Sequence, residues 1–416
     1  MQSTPRNMRL HIGIFGRRNV GKSSLLNAIT SQEVSIVSAQ AGTTTDPVEK
    51  PMELLPVGPV LFIDTAGIDD EGALGEARVQ KTRKVLDRTD LALLVSEAKA
   101  WGAFEEALLT ELRALGIATI VVLNKCDLGS PETSLIPRLE GLGVQVVVTA
   151  APAGTGLQDL RQAMIGAAPA DFFESRTILA DLVGPGETAV LVVPIDKEAP
   201  KGRLILPQVQ TIRDLLDHDA ISVVAKEGDL RRALANLRRP PALVVTDSQA
   251  FLKVAADTPS SVPMTSFSIL FARFQGDLAE QVRGTLAIDG LSSGDNILVA
   301  EACTHHPIGE DIARVKIPRW LEEHTGARLE FQTVRGHDFP QDLSPYALVI
   351  HCGNCMGNRK EMLSRILRCR HQGVPITNYG LTIAYSLGIF ERALAPFPAA
   401  LEVYRGARTK PVPLVT

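Results

Sequence analysis

Three thiols and two imidazoles fall in two tight clusters late in this 416-residue chain: Cys303-Thr304-His305, then His351-Cys352-Gly353-Asn354-Cys355. Thiolates and imidazoles are the donors that hold zinc and iron–sulfur clusters, and a CxxC lets two sulfurs grip one metal or cluster. Cys303 adds a third sulfur from far away in sequence. The sequence shows no signal-peptide pattern and no apolar run long enough to span a bilayer, so a reducing cytoplasm is the expected location. Clustered cysteines there bind metal or react more often than they pair. Three thiolates without a fourth suit a [4Fe–4S] cubane whose last iron takes His305, His351 or an exchangeable ligand. A Cys3His zinc site is the rival reading, and three merely buried thiols the bland one. Of the 5 cysteines, Cys369 on a helical pattern and Cys126 in the first domain read as core residues, and His306 reads as a neighbour.

The elements around these residues explain how they meet. Short apolar runs at 296–300, 347–350 and 374–377 read as buried strands, with helical patterns at 312–323 and 359–370 between them. Buried strands alternating with helices make a parallel sheet. Such sheets bind ligands beyond the carboxyl ends of their strands. Cys303, Cys352 and the Asn378-Tyr379 turn all fall at such ends, so one rim can collect the three thiols.

A second constellation opens the chain. The strand His11–Phe15 runs into Gly16-Arg17-Arg18-Asn19-Val20-Gly21-Lys22-Ser23 and a helix from Ser24, which is GxxxxGK[ST] in its strand–loop–helix setting. Backbone N–H groups of such a loop, from Gly16, Val20 and Gly21 to Ser24, wrap phosphates, aided by the helix N-terminus. Lys22 is expected on the β/γ-phosphates and Ser23 on Mg²⁺. The strand at 61–63 ends in Asp64-Thr65-Ala66-Gly67, where Asp64 is expected to hold Mg²⁺ through water and the Gly67 N–H to sense the γ-phosphate. The strand at 121–123 ends in Asn124-Lys125-Cys126-Asp127, the guanine-reading NKxD pattern, with Asp127 on the base. Thr149 and Ala150 fit the last base-contacting motif. Thr44 is the expected Mg²⁺ threonine of the first switch, with Thr45 as alternative. Four matches in order point to GTP.

Two departures bear on mechanism. Ile68 stands where Ras-like proteins keep a water-orienting Gln, and Asn19 sits inside the phosphate loop. The pair resembles GTPases of the Era and MnmE type, and that resemblance implies that Asn19 ligates K⁺ and that hydrolysis is slow and potassium-stimulated. Residues 69–75 read as a mobile second switch, followed by helices at 76–87 and 157–167.

The middle of the chain repeats strand–helix alternation: strands at 190–193, 221–224 and 242–245, helices in the second half of 199–216, at 229–237 and at 250–256. Asp196, Lys197, Lys201 and Arg203 read as a solvated loop, and the stretch 266–272 as a core helix or part of an interface. A unit without chemistry is a natural subunit interface. Net charge is −4, which indicates no nucleic-acid footprint. The expected class is α/β: a P-loop GTPase domain (1–169), then two smaller α/β domains with mainly parallel sheets, one connecting and dimerising (170–264), the last binding an iron–sulfur cluster (265–416). A ribosome- or RNA-associated GTPase with a zinc-stabilised tail is the alternative, and a redox enzyme using the cluster for electron transfer a third.

Taken together, CxH, a spacer and HCxxC behind a P-loop resemble the [FeFe]-hydrogenase maturation GTPase family HydF over essentially the whole chain. The stretches 199–208 and Pro375-Ile-Thr-Asn-Tyr-Gly380 look like that family's as well. The resemblance implies a scaffold and carrier. Cys303, Cys352 and Cys355 would hold its [4Fe–4S] cluster, with His305 and His351 as candidates for the fourth iron. A transient di-iron precursor would be received from radical-SAM maturases and delivered to apo-[FeFe]-hydrogenase. It further implies a homodimer through the middle domain; the charge and the lack of a membrane-length apolar run lead to the expectation of no nucleic-acid and no membrane partner.

Overall fold

The computed structural model describes residues 4–31, 47–65, 82–173, 176–194, 204–303 and 311–408. Two compact units divide the chain, Met1–Ser175 and Arg176–Thr416.

The first unit is built on β1 (Leu10–Phe15), β2 (Val48–Leu54), β3 (Gly58–Asp64), β4 (Leu91–Glu97), β5 (Ala118–Asn124) and β6 (Gln145–Val148), in spatial order β2-β3-β1-β4-β5-β6. All neighbours are parallel except β2 and β3. The central strands are apolar at nearly every position because both faces are covered. Leu91 and Leu93 of β4 enter one core cluster while Ala92 and Leu94 enter the other. β2 and β4 are not among the strands expected from sequence. The charges and Pro51 of β2 disguise it, and both are tolerated because β2 is the sheet edge.

The second unit holds two four-stranded sheets, parallel throughout. One contains β7 (Thr188–Val192), β8 (Ile221–Ala225), β9 (Leu243–Thr246) and β10 (Met264–Ser266), in order β10-β9-β7-β8. The other contains β11 (Asn296–Glu301), β12 (Glu330–Arg335), β13 (Leu348–His351) and β14 (Ile376–Asn378), in order β12-β11-β13-β14. In each, the second strand pairs on one side of the first and the third pairs on the other. The wiring is the same, and strand order reverses between the first and third strands. One hydrophobic cluster runs through both sheets, from Ile178 and Val190 to Ile297, Leu348 and Tyr404. The helix Phe267–Gln275 belongs to that core, with Phe267, Ile269, Leu270, Phe271 and Ala272 buried. Its N-cap is Ser266, whose hydroxyl accepts from the Ile269 N–H at 3.2 Å. The helix Ile317–Thr325 is entered through a wide turn, Ile312–Lys316. No helix among the described residues is long and apolar enough to cross a membrane.

Candidate nucleotide site and metal centre

The loop after β1 lies where the strand order of the first sheet reverses, between β1 and β4. Gly16 has φ 146°, and a Cβ there would stand 2.1 Å from the Val95 carbonyl oxygen. A Cβ on Gly21 (φ 93°) would stand 2.4 Å from Asn124 Nδ2. Both positions need glycine because other backbone or side-chain atoms close on the loop. Asn19 takes the left-handed region at φ 60°, and Val20 is buried. Lys22 starts the helix Lys22–Ser31, and its Nζ turns back to donate to the Gly16 and Arg17 carbonyls at 2.9 and 2.7 Å. Those carbonyls hold the ammonium inside the loop that would wrap phosphates.

Ser23 Oγ donates to Asp64 Oδ2 at 2.6 Å. Asp64 Oδ1 is buried with no hydrogen-bond partner among the described residues. Burial pushes the Asp64 carboxyl up, and the Ser23 hydroxyl and the Lys22 charge pull against that shift. A buried carboxylate with one orphaned oxygen beside a serine hydroxyl fits a Mg²⁺ position, since a divalent cation supplies the missing charge partner.

Asn124 joins three segments. Its Nδ2 donates to the Val20 carbonyl at 2.9 Å, and its Oδ1 accepts from Thr149 Oγ1 at 3.0 Å and from the Ala151 N–H at 3.3 Å. Thr149 and Ala150 are buried. Lys125 is left-handed (φ 59°) and pairs with Glu97, while Asp127 and Ser24 are exposed. The described nucleotide residues named from sequence thus gather at one end of the sheet. Sequence reasoning missed Arg17, whose Nη2 donates to the buried Glu105 at 3.0 Å and whose guanidinium stands 5.2 Å from the Phe104 ring, anchoring the loop's flank. Thr44, Thr45, Gly67, Ile68, His305, His306, Asp196, Lys197, Lys201 and Arg203 lie outside the described residues.

The thiols sit at the corresponding reversal in the last sheet, between β11 and β13. Register pairs Ala300 with His351 and His351 with Asn378. Glu301, Cys352 and Tyr379 therefore follow at one level of the carboxyl rim, with Cys303 two residues past Glu301. The Cys352 N–H donates to the Ala300 carbonyl at 2.9 Å, and the Ala302 N–H donates to Cys352 Sγ at 3.1 Å. Left-handed Asn354 (φ 53°) turns the CxxC, and its Nδ2 donates to the Asn358 carbonyl at 3.0 Å. Asn358 caps the helix Arg359–His371, so the CxxC precedes a helix N-terminus, whose dipole favours thiolate. Burial raises the Cys352 thiol, and the Ala302 and Asn354 N–H groups and Arg365 oppose the shift. Burial, then the neighbouring Cys352 and Cys303 charges, pushes Cys355 well above the usual range. Of the three thiols it is Cys355 whose ionisation the other two oppose, an opposition that a bound cation would offset. Among the described residues, no three His, Cys, Asp or Glu side chains converge to hold a single metal ion; the thiols are separate donors along the rim. Cys369 is a core residue, fully buried beside Leu298 and Val349.

His351, a candidate fourth ligand from sequence, has both ring nitrogens engaged by other groups in this structure. Its Nε2 lies 2.7 Å from Arg365 Nη1 and its Nδ1 2.8 Å from the Cys352 carbonyl oxygen. Arginine only donates, so Nε2 accepts and Nδ1 carries the proton. No lone pair remains for iron. The ring is fully buried, and burial, then the Arg365 charge, lowers its pKa to about 3. Arg365 also pairs with Glu361 and donates to the Gly336 carbonyl at 2.7 Å, and Glu361 meets His337 Nδ1 at 2.8 Å. A buried network thus holds the backbone carbonyl of Cys352. Glu301, ion-paired to Arg314 and Arg335, and Tyr379 are further rim residues that the thiol spacing does not announce.

Comparison with known proteins adds identity to this geometry. A model of the hydrogen maturase F dimerization domain matches residues 178–276, and one of the hydrogen maturase F tetramerization domain matches residues 279–396. A model described as a 50S ribosome-binding GTPase matches residues 11–125. The GTPase Der of Wolinella succinogenes is 42% identical over 127 residues, 30% of this chain and 27% of that protein. The tRNA modification GTPase MnmE of Paramagnetospirillum magneticum is 40% identical over 154 residues, 36% of this chain and 33% of that protein. The chain spans about a third of the length of these curated relatives or less. Among solved structures, Era of Aquifex aeolicus bound to GDP and aluminium fluoride is 28% identical, covering 38% of this chain and 56% of that one, with a TM-score of 0.33.

Proposed function

Because the chain belongs to the hydrogen maturase F family, with a P-loop GTPase domain ahead of the two family domains, we propose that it is a GTP-hydrolysing scaffold for [FeFe]-hydrogenase maturation. On this reading the domains are 1–169, 170–264 and 265–416. The last carries a [4Fe–4S] cluster on Cys303, Cys352 and Cys355, receives a di-iron precursor made with radical-SAM maturases, and delivers it to apo-hydrogenase in the cytoplasm. The observation that carries the reading is the rim itself: three thiols, an N–H donor to Cys352 and a capped helix N-terminus at the switch point of a parallel sheet. With three thiolates and no protein imidazole from His351, a bound cluster supplies an iron with an exchangeable position. His305 is the remaining imidazole candidate for it.

In the first unit, Gly16, Val20, Gly21 and Ser24 wrap the phosphates and Lys22 neutralises them. Ser23, Asp64 and Thr44 hold Mg²⁺, which when bound offsets charge developing on the transferred phosphoryl. Gly67 senses the γ-phosphate, and Asn124, Lys125, Asp127, Thr149 and Ala150 read guanine. Asn19 holds K⁺ in place of an arginine finger. GTP state acts on the rim only through conformations to which the two sites bind differently. Self-association is supported by the dimerization and tetramerization matches.

The test is activation of apo-hydrogenase by cargo-loaded protein. Wild type activates; Cys352→Ala does not; Lys22→Ala hydrolyses GTP at least ~100-fold more slowly, the scale of losing one preorganised charge contact, and exchanges partners poorly. Delivery by Cys352→Ala at the wild-type level would sink the carrier reading. Normal partner exchange and maturation by Lys22→Ala would sink the coupling.

A further inference from the structure

Tyr379 is the first residue of the helix Tyr379–Ser386, fixed there by Asn378, whose Oδ1 accepts from the Gly380 N–H at 2.8 Å and from Ser268 Oγ at 2.9 Å. Register places it at the same level of the rim as Cys352 and Glu301. Its ring packs against the core cluster of the second unit. Its hydroxyl is buried and has no hydrogen-bond partner among the described residues. Burial keeps the phenol protonated, and the charges that add to this are those of Cys352, Glu301, Asp311 and Cys303. The hydroxyl is therefore an O–H donor in the neighbourhood of Cys352, Glu301, Asp311 and Cys303, two of them the thiols of the rim.

A buried hydroxyl left without a partner costs about 1–3 kcal/mol. Phenylalanine would fill the same space without that cost. The polarity makes sense if the partner arrives with the cofactor. Thiolate and sulfide sulfurs carry the negative charge of an iron–sulfur cluster and accept hydrogen bonds, and such bonds help set its potential. We propose that the Tyr379 hydroxyl donates a hydrogen bond to a sulfur of the loaded cluster, either the Cys352 or Cys303 thiolate or a bridging sulfide. This rests on the cluster reading of the rim. Tyr379 acts as a positioning residue, favouring the reduced, more negative cluster; it holds no iron.

The test uses full-length wild type and Tyr379→Phe, reconstituted anaerobically with iron and sulfide. Iron content, the thermal midpoint of the apo-protein, and a redox titration followed by EPR are read on both. The expected result is equal iron and equal apo stability, with a lower potential in the variant. At a fixed poise the ratio of reduced to oxidised cluster should fall about tenfold, which is 59 mV for one electron. An exchangeable proton coupled to the wild-type cluster should also disappear in the variant. Equal iron with superimposable titrations overturns the inference and leaves the cluster reading standing. A folded variant that takes up no iron overturns it too, since three thiolates should hold the cluster without this bond. A wild type that takes up no iron removes both.

Discussion

The two parallel sheets of the second unit share one wiring, yet their rims and edges are put to different use. In the last sheet the strand-order reversal is followed by Cys303 on one side and Cys352 on the other. In the middle sheet the equivalent strand β9 is followed by Asp247, whose Oδ1 accepts from the Gln249 N–H at 3.1 Å and is used by a local turn. The edges differ in the opposite sense. Middle-sheet edge strand β8 exposes Ile221 (51%) and Val224 (47%), with Leu216 exposed (58%) on the preceding helix Leu206–Asp217. Edge strand β12 exposes Glu330 and Gln332. An apolar open edge is a template for pairing with another chain, whereas a polar one resists it. Wiring supplies a crevice, and the residues just past the strands decide whether it binds anything.

The largest expected difference is in iron. Cys352→Ala should fall from about four irons per chain to near zero after reconstitution, while Asp247→Ala should retain the wild-type content. Loss of iron in Asp247→Ala would break the contrast between the two rims.

Stability should divide the same way. Arg365→Met strips the buried Glu361 of its arginine partner and should cost about 3–5 kcal/mol in urea unfolding. Arg213→Met, on the exposed pair with Asp217 in the middle region, should leave the urea midpoint unchanged. Equal responses would mean that the His351–Arg365 network does not support the rim.

That network also sets a pH dependence. His351 is neutral in the folded chain, with a pKa lowered to about 3, and titrates near 6.5 when unfolded. Between those values the unfolded chain binds more protons, so acidification destabilises the fold by about 1.4 kcal/mol per pH unit from this group. His351→Asn should flatten the stability curve by about that slope between pH 6.5 and pH 4. An unchanged slope would show that the ring is not held neutral by burial.

The smallest effect is at the edges. Val224→Lys should weaken self-association about tenfold or more, worth ~1.4 kcal/mol, in sedimentation equilibrium. Gln332→Lys should leave it unchanged. If Gln332→Lys were the disruptive variant, the roles assigned to the two edges would have to be exchanged.

Much of this was legible in the chain. Uninterrupted apolar runs such as Val121–Leu123 reveal strands covered on both faces, and phosphate-loop and NKxD residues carry their chemistry in their spacing. Cys303 and Cys352 could be assigned to one rim because each follows a buried strand. β2 was not legible, since Pro51 and alternating charges look like loop until an edge position makes them tolerable. The role of His351 was not legible either. Proximity to thiols suggests a ligand, and only the fold brings Arg365, from the next helix, onto its second nitrogen. Tyr379 was hidden for the same reason: it reads as a turn residue, and its hydroxyl, unpartnered among the described residues, is buried at the rim only once three strands are in register.

The central claim is that the last rim holds an iron–sulfur cluster on Cys303, Cys352 and Cys355. Anaerobic reconstitution of wild type and Cys303→Ala, read by metal analysis together with EPR of the reduced protein, tests it most directly. The account predicts about four irons per wild-type chain and a cluster signal that is lost or strongly weakened in the variant. One tightly held zinc ion per chain with no cluster signal would contradict it.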